Sequence, residues 1–202
     1  MNYYDRLKQL ERILDDNNVY LGDITFESVD YDMDEVCRAL QEKGIYFDHG
    51  ATRGCFYFTD EDYVFKFDFY NLECSYCETE ADFYQEAKKK HLEKVFLPME
   101  RFDELCGATI YIQDKAHYGF HHFDILTEEE EHRYSKLKSN STLMDQLPLE
   151  WIKAFVSCYG EELFKAFELF ISDFGINDLH EGNIGIDEKG RPYIFDYAGY
   201  FE

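Results

Sequence analysis

The chain has 202 residues, of which 45% are hydrophobic and 18% aromatic, and it carries 20 Lys and Arg residues against 43 Asp and Glu residues. This apolar and aromatic content excludes a mainly disordered chain, because it is enough to build a buried core. The net charge of −23 disfavours direct binding to nucleic-acid phosphates or anionic membranes, and it favours divalent cations and basic partners.

The expected location is the cytoplasm. The first residues lack the basic and apolar regions of a signal peptide. The six cysteines are unevenly spaced, which is typical of a reducing compartment rather than of a disulfide framework. No apolar stretch reaches the length of about 18 residues at which a membrane span is predicted, so no membrane contact is expected.

The first half of the chain is predicted to begin with two helices and to continue as a sheet. Apolar residues at helical spacing predict helices over 2–16 and 33–43, the second capped by Asp32 and Glu35 and ended by Gly44. Three short apolar segments then predict a β-meander: 45–47, 55–58 and 63–67.

A further helix and two strands complete the first half. The helix is predicted over 76–90, with Ser75 and Glu78 as a capping box. The strands are predicted over 95–102 and 108–113.

The second half is predicted to be mainly helical. Thr127 caps a surface helix that starts with acidic residues, and the apolar stretch 149–174 forms two helices separated at Gly160. The strands 184–186 and 193–195 form a closing hairpin.

The residues before and after this hairpin carry the chemistry. Asp178 and Asn183 lie five positions apart in one loop, and Asp196 ends the returning strand. Phosphoryl transfer needs such a set, because one carboxylate orients the attacking hydroxyl while an amide oxygen and a second carboxylate hold magnesium. A lone lysine on a predicted strand, Lys66, can reach the α- and β-phosphates.

The pattern D-L-H-x-x-N at 178–183, with Asp196 after the hairpin, resembles the protein-kinase-like superfamily. The most similar branch holds the aminoglycoside and choline phosphotransferases and their small phage-type relatives. This resemblance implies ATP and magnesium as cofactors, with Asp178 as the catalytic base and Asn183 and Asp196 as magnesium ligands.

The same resemblance assigns the nucleotide contacts. Lys66 would hold the phosphates and pair with Glu80, which we prefer to Glu78 and Glu86 because it shares a face with the apolar residues of its helix. The remaining contacts implied are Val64 over the adenine, Gly50 and Arg53 in a reduced nucleotide loop, and Gln113 and Lys115 at the hinge.

The expected fold is therefore α+β, a compact two-lobed protein-kinase-like domain. Residues 1–44 would be an N-terminal helical extension, 45–113 an N-lobe with an antiparallel sheet and a helix, and 114–202 a minimal, mainly helical C-lobe.

Two functions follow from these observations. The first is an ATP- and magnesium-dependent phosphotransferase whose hydroxyl acceptor, a small molecule or a protein, is unidentified. The alternative is a non-catalytic, kinase-like acidic protein, a pseudokinase or a DNA mimic, that binds a basic or nucleic-acid-binding partner. The set of Lys66, Asp178, Asn183 and Asp196 favours the enzyme, whereas the charge and the short C-lobe favour the binding protein.

Overall fold

The computed structural model describes residues 2–70, 72–116, 126–138 and 147–198, without the side chain of Glu35. The chain is an α+β protein, as predicted, with a five-stranded antiparallel sheet and several helices. Its internal contacts divide it into two compact units, Met1–Ala81 with Pro98–Lys115 and Asp82–Leu97 with Ala116–Glu202. Within the described ranges, no helix has the length and apolar character needed to cross a membrane.

The bounds of the elements are as follows. The helices are α1 (Tyr3–Asp16), α2 (Val29–Gln41), α3 (Tyr76–Lys89), α4 (Glu128–Lys138), α5 (Leu149–Tyr159) and α6 (Glu161–Phe174). The strands are β1 (Ile45–His49), β2 (Arg53–Phe58), β3 (Tyr63–Asp68), β4 (Met99–Leu105), β5 (Ala108–Asp114), β6 (Ile184–Ile186) and β7 (Pro192–Ile194).

The first unit is built on the sheet, whose strand order is β1-β2-β3-β5-β4. The predicted β-meander is confirmed, because β1, β2 and β3 pair in sequence and antiparallel. Successive side chains of a strand point to opposite faces of the sheet. Phe65 and Phe67 of β3 therefore share one face, and Val64 and Lys66 share the other.

The first face is covered by α1 and α2, which form one core with the aromatic residues of β2 and β3. Leu10, Leu14, Val36 and Leu40 are fully buried in it. The buried guanidinium of Arg6 in α1 also pairs with Asp60 and Glu61, in the turn between β2 and β3. The N-terminal helices are thus part of the core of this unit.

Two predicted starts were wrong. Helix α2 begins at Val29, not at 33, because Thr25 and Ser28 exchange hydrogen bonds just before it. Asp32 therefore lies in the first turn, where its charge suits the helix dipole. The side chain of Glu35, its predicted capping partner, lies outside the described residues.

The strand predicted from residue 95 begins instead at Met99. Residues 95–97 pair with β7 in the second unit, because Ile194 N–H donates to the Val95 carbonyl and Leu97 N–H donates to the Ile194 carbonyl, both at 2.8 Å. This pairing joins two segments about a hundred positions apart, so the local pattern does not reveal it.

The second unit has its own core of α5, α6, the C-terminal half of α3 and the β6–β7 hairpin. Trp151, Phe155 and Phe167 are fully buried there. Gly160 separates α5 from α6 as predicted, with a φ of 85° that an L side chain rarely adopts. The predicted Thr127 cap of α4 is also confirmed, since Thr127 Oγ1 accepts from Glu130 N–H at 3.3 Å.

Candidate functional site

Lys66 and Glu80 form a buried ion pair in the first unit. The Nζ of Lys66 lies 3.4 Å from Oε2 of Glu80, and the Glu80 side chain is 0% exposed. Of the other two carboxylates considered, Glu78 is exposed and Glu86 pairs with Lys89. The pairing is therefore the one selected from the sequence, whereas the catalytic use of the pair stays a prediction.

The start of α3 is fixed by the last residue of β3. Asp68 Oδ1 accepts from the N–H groups of Tyr76 at 3.1 Å and Cys77 at 3.0 Å, and Ser75 Oγ donates to Asp68 Oδ2 at 2.6 Å. Ser75 also caps the helix by accepting from Glu78 N–H at 3.0 Å, as predicted. These bonds hold α3 on the strand that carries Lys66.

Arg53 contacts the same carboxylate from the other side. Its Nη1 lies 2.8 Å from Oε1 of Glu80, and its guanidinium lies 5.8 Å from the centre of the Tyr76 ring. Arg53 is predicted to lie in a nucleotide loop, but the structure places it at the start of β2. The register of β2 against β3 could have predicted this contact. Cys55 pairs with Lys66, so the side chain of Arg53, two residues before Cys55, points to the same face as that of Lys66.

Val64 and Gln113 are neighbours on that face, because they are register partners on β3 and β5. Gln113 is 2% exposed, and its Nε2 is a buried donor without a hydrogen-bond partner in the described part of the chain. Such a donor fits an acceptor atom of a ligand. Their predicted base contacts stay predictions.

The other two predicted nucleotide contacts lie in exposed or already bonded positions. Gly50 lies in the turn before β2, and a Cβ there would meet no described atom within 4 Å. Lys115 donates from Nζ to the carbonyl of Phe58 at 3.1 Å, and its N–H donates to the carbonyl of Asp62 at 2.8 Å. These contacts tie the predicted hinge to the turn between β2 and β3.

In the second unit, the loop after α6 holds Asp178 and Asn183 together. Helix α6 ends at Gly175, which has a left-handed φ of 63°. Asn183 is 8% exposed, and its Nδ2 donates to the backbone carbonyl of Asp178 at 2.8 Å. Because the amide nitrogen is used in this way, the amide oxygen is the atom of Asn183 that can bind a metal.

Asp196 is connected to the same loop through the backbone. The N–H of Phe195 donates to the carbonyl of Asn183 at 3.0 Å, one step beyond the β6–β7 pairing. Tyr197 is fully buried, and its hydroxyl donates to the carbonyl of Leu97 at 3.2 Å. The half-buried Asp196 is thus held between two anchored neighbours.

The hairpin itself is stabilised at its turn. Oδ1 of Asp187 accepts from the N–H groups of Lys189 and Arg191, and Oδ2 lies 2.6 Å from Nη2 of Arg191. Burial alone would raise the pKa of Asp187, but these hydrogen bonds and the Arg191 charge lower it overall. A short two-stranded element thereby holds Asn183 and Asp196 at its open end.

The side-chain oxygens of Asn183 and Asp196 are of the type that magnesium binds, and magnesium does not need a complete set of protein ligands. Within the described ranges, no group of three or more His, Cys, Asp or Glu side chains is placed to hold a metal ion. Magnesium usually takes only one or two protein ligands, and phosphate oxygens and water supply the rest. Asn183 and Asp196, the predicted ligands, would supply that number.

Comparisons of the chain with models of protein families, with curated proteins and with solved structures found no match. The functional proposal therefore rests on the contacts of Lys66, Glu80 and Arg53 and on the loop that holds Asp178 and Asn183.

Proposed function

We propose that the chain is a phosphotransferase of protein-kinase-like fold that transfers a phosphoryl group from ATP, with magnesium, to a hydroxyl acceptor. The buried pair of Lys66 and Glu80 is the observation that carries this proposal. Burying two charges is costly, and an apolar pair of similar volume often stabilises a fold as well or better. A lysine held charged in a place with little water is instead suited to binding phosphate oxygens.

Arg53 strengthens this interpretation. It brings a second cation to the Glu80 carboxylate, from a different strand. With both carboxylate oxygens in contact with cations, Glu80 has a fixed orientation. Lys66 is therefore held in place before any ligand binds, which lowers the cost of ordering it.

The loop and hairpin residues Asp178, Asn183 and Asp196 would supply the base and the metal ligands. Asn183 Oδ1 and the Asp196 carboxylate would hold magnesium, which when bound would neutralise charge on the phosphates. The Asp178 carboxylate would orient the acceptor hydroxyl and take its proton. Catalysis by these residues would consist mainly of positioning and charge stabilisation.

Two matched variants separate binding from catalysis. Asp196→Asn should weaken magnesium-dependent nucleotide binding, because it removes a charged ligand from a hard cation. Asp178→Asn should leave binding nearly unchanged and lower the rate of ADP release by about 10²- to 10⁴-fold, the usual contribution of a positioned base. Asp173→Asn, at an exposed position of α6, is the control and should behave as the wild type.

The net charge of −23 favours a second candidate, an acidic protein that binds a basic partner without catalysis. Wild-type protein that neither binds magnesium and ATP nor releases ADP would support it. So would a biological effect that survives Asp178→Asn but is lost when exposed carboxylates are neutralised.

A further inference from the structure

His180 is held in one orientation by the backbone of its own loop. Its Nδ1 accepts from the N–H of Gly182 at 3.0 Å. A nitrogen that accepts a hydrogen bond carries no proton, so in the neutral ring the proton lies on Nε2.

That Nε2 faces the predicted base. It lies 3.3 Å from Oδ1 of Asp178, and the Asp178 side chain is 21% exposed. In the described part of the chain, Oδ2 of Asp178 has no such contact. The carboxylate therefore has one oxygen held by His180 and one that can accept a proton from a ligand.

Gly182 makes this arrangement sterically possible. A Cβ at position 182 would lie 2.8 Å from Cε1 and 3.0 Å from Nδ1 of His180, closer than real Cβ atoms normally come to other atoms. The ring therefore packs directly against the glycine. The same turn also holds Asn183, whose N–H donates to the carbonyl of His180 at 3.0 Å.

We propose that His180 is a positioning residue that orients the Asp178 carboxylate through its Nε2 proton, with Gly182 fixing the tautomer and the ring position. The inference rests on the proposed function for its catalytic consequence, and on the loop geometry alone for the contact. His180 orients the base, whereas Asp178 itself takes the proton of the acceptor.

The tautomer is tested first, without any activity. Nitrogen-15 NMR of the imidazole groups, with His180→Gln to assign one of the seven histidines, should show Nδ1 of His180 unprotonated and Nε2 protonated. Asp178→Ala should shift the Nε2 resonance and leave the Nδ1 resonance in place. A proton on Nδ1, or an Nε2 resonance that does not shift in Asp178→Ala, overturns the inference.

The catalytic consequence is tested by ADP release. His180→Leu should lower kcat by about 10²-fold, the cost of misplacing a reacting group by about 1 Å, and leave the KM for ATP unchanged. His180→Gln retains a donor of similar reach and should recover most of kcat. Gly182→Ala should lower kcat with His180 still present, whereas His132→Gln, an exposed position in α4, should have no effect.

The outcomes separate the two proposals. Loss of nucleotide binding in His180→Leu, or a kcat in both His180→Leu and Gly182→Ala equal to that of the wild type, overturns the positioning role. Wild-type protein that neither binds ATP nor releases ADP overturns the proposed function, and the two NMR results then decide the contact by themselves.

Discussion

At the scale of single residues, Glu80 shows how the stability of the first unit depends on buried ion pairs. Its carboxylate is fully buried and contacts Lys66 on one oxygen and Arg53 on the other. Removing one partner of a buried ion pair leaves a buried charge without compensation, which costs more than the pair itself contributes. Replacing Glu80 therefore removes one carboxylate partner from each of the two cations.

Glu80→Leu should lower the free energy of unfolding by about 3–5 kcal/mol, because two poorly solvated cations lose their carboxylate. The double variant Lys66→Met with Glu80→Leu should recover part of that loss, since one of the two cations that faced Glu80 is removed with it. Urea unfolding of both variants measures the difference. A double variant less stable than Glu80→Leu would show that the lysine does not depend on this carboxylate.

His49 is a second residue whose charge is set by its neighbours. Its Nε2 lies 3.0 Å from Oδ1 of Asp30 in α2, and its Nδ1 lies 3.1 Å from the carbonyl of Gly50. Burial of the ring lowers its pKa, but the two acceptors and the nearby carboxylates raise it more, so the net shift is upward. Both ring nitrogens therefore face groups that favour the protonated form.

This raised pKa predicts a pH dependence of stability. The stabilisation is fully present below the unfolded pKa of about 6.5 and is lost as the pH rises through the higher folded pKa. The free energy of unfolding of the wild type should therefore fall, relative to that of His49→Gln, as the pH rises above about 6.5. Denaturant unfolding across this range measures it, with the exposed His132→Gln as the control. Parallel curves for the wild type and His49→Gln would contradict the assignment.

At the scale of elements, β2 packs closely against side chains of both neighbouring strands at Gly54. A Cβ at this position would lie 2.5 Å from two ring atoms of Phe67 and 2.9 Å from the Phe47 ring. Both rings belong to the aromatic layer of the sheet, which α1 and α2 cover. The glycine is thus required for packing and not for a turn.

Gly54→Ala should destabilise the protein by about 1–3 kcal/mol, the usual cost of adding atoms to a well-packed core. Gly50→Ala is a matched control in the preceding turn, where a Cβ meets no described atom within 4 Å, and it should change stability by less than about 0.5 kcal/mol. Thermal unfolding of both variants tests the contrast. Equal effects would show that the sheet relaxes around an added methyl group.

Local patterns predicted most of the elements. The meander, α3, the break at Gly160 and the closing hairpin each follow from apolar spacing, caps or turn residues within about ten positions. The pairing of residues 95–97 with β7 could not be predicted in this way, because it joins distant segments. The contact of Arg53 with Glu80 also joins segments that are distant in sequence. The register of β2 against β3 would nevertheless have shown that Arg53 and Lys66 lie on the same face of the sheet.

In the candidate site, too, the residue types could be predicted from the sequence and the atomic contacts could not. The motif spacing selected Asp178, Asn183 and Asp196, but the roles of Asp68, His180 and Gly182 depend on atomic contacts of 3.0–3.3 Å. A pattern of residue types does not specify such distances. Glu80 could be selected because one helical face carried both the carboxylate and the apolar residues.

For the whole molecule, the central claim is that the chain binds ATP together with magnesium. Under the proposed function, Lys66 would bind phosphate, and Asn183 and Asp196 would bind the metal. A ligand that binds only the folded state also stabilises it, by about 2.7 kcal/mol at a hundred times Kd. Loss of either set of residues should therefore weaken the binding of the same ligand.

The most direct test is a calorimetric titration of the wild type, Lys66→Met and Asp196→Asn with ATP and magnesium, with Lys89→Met and Asp173→Asn as exposed controls. The proposal predicts binding by the wild type and both controls, and at least about tenfold weaker binding by Lys66→Met and by Asp196→Asn, a difference of about 1.4 kcal/mol. A wild type that does not bind, or variants at Lys66 and Asp196 that bind as tightly as the wild type, would contradict the proposal.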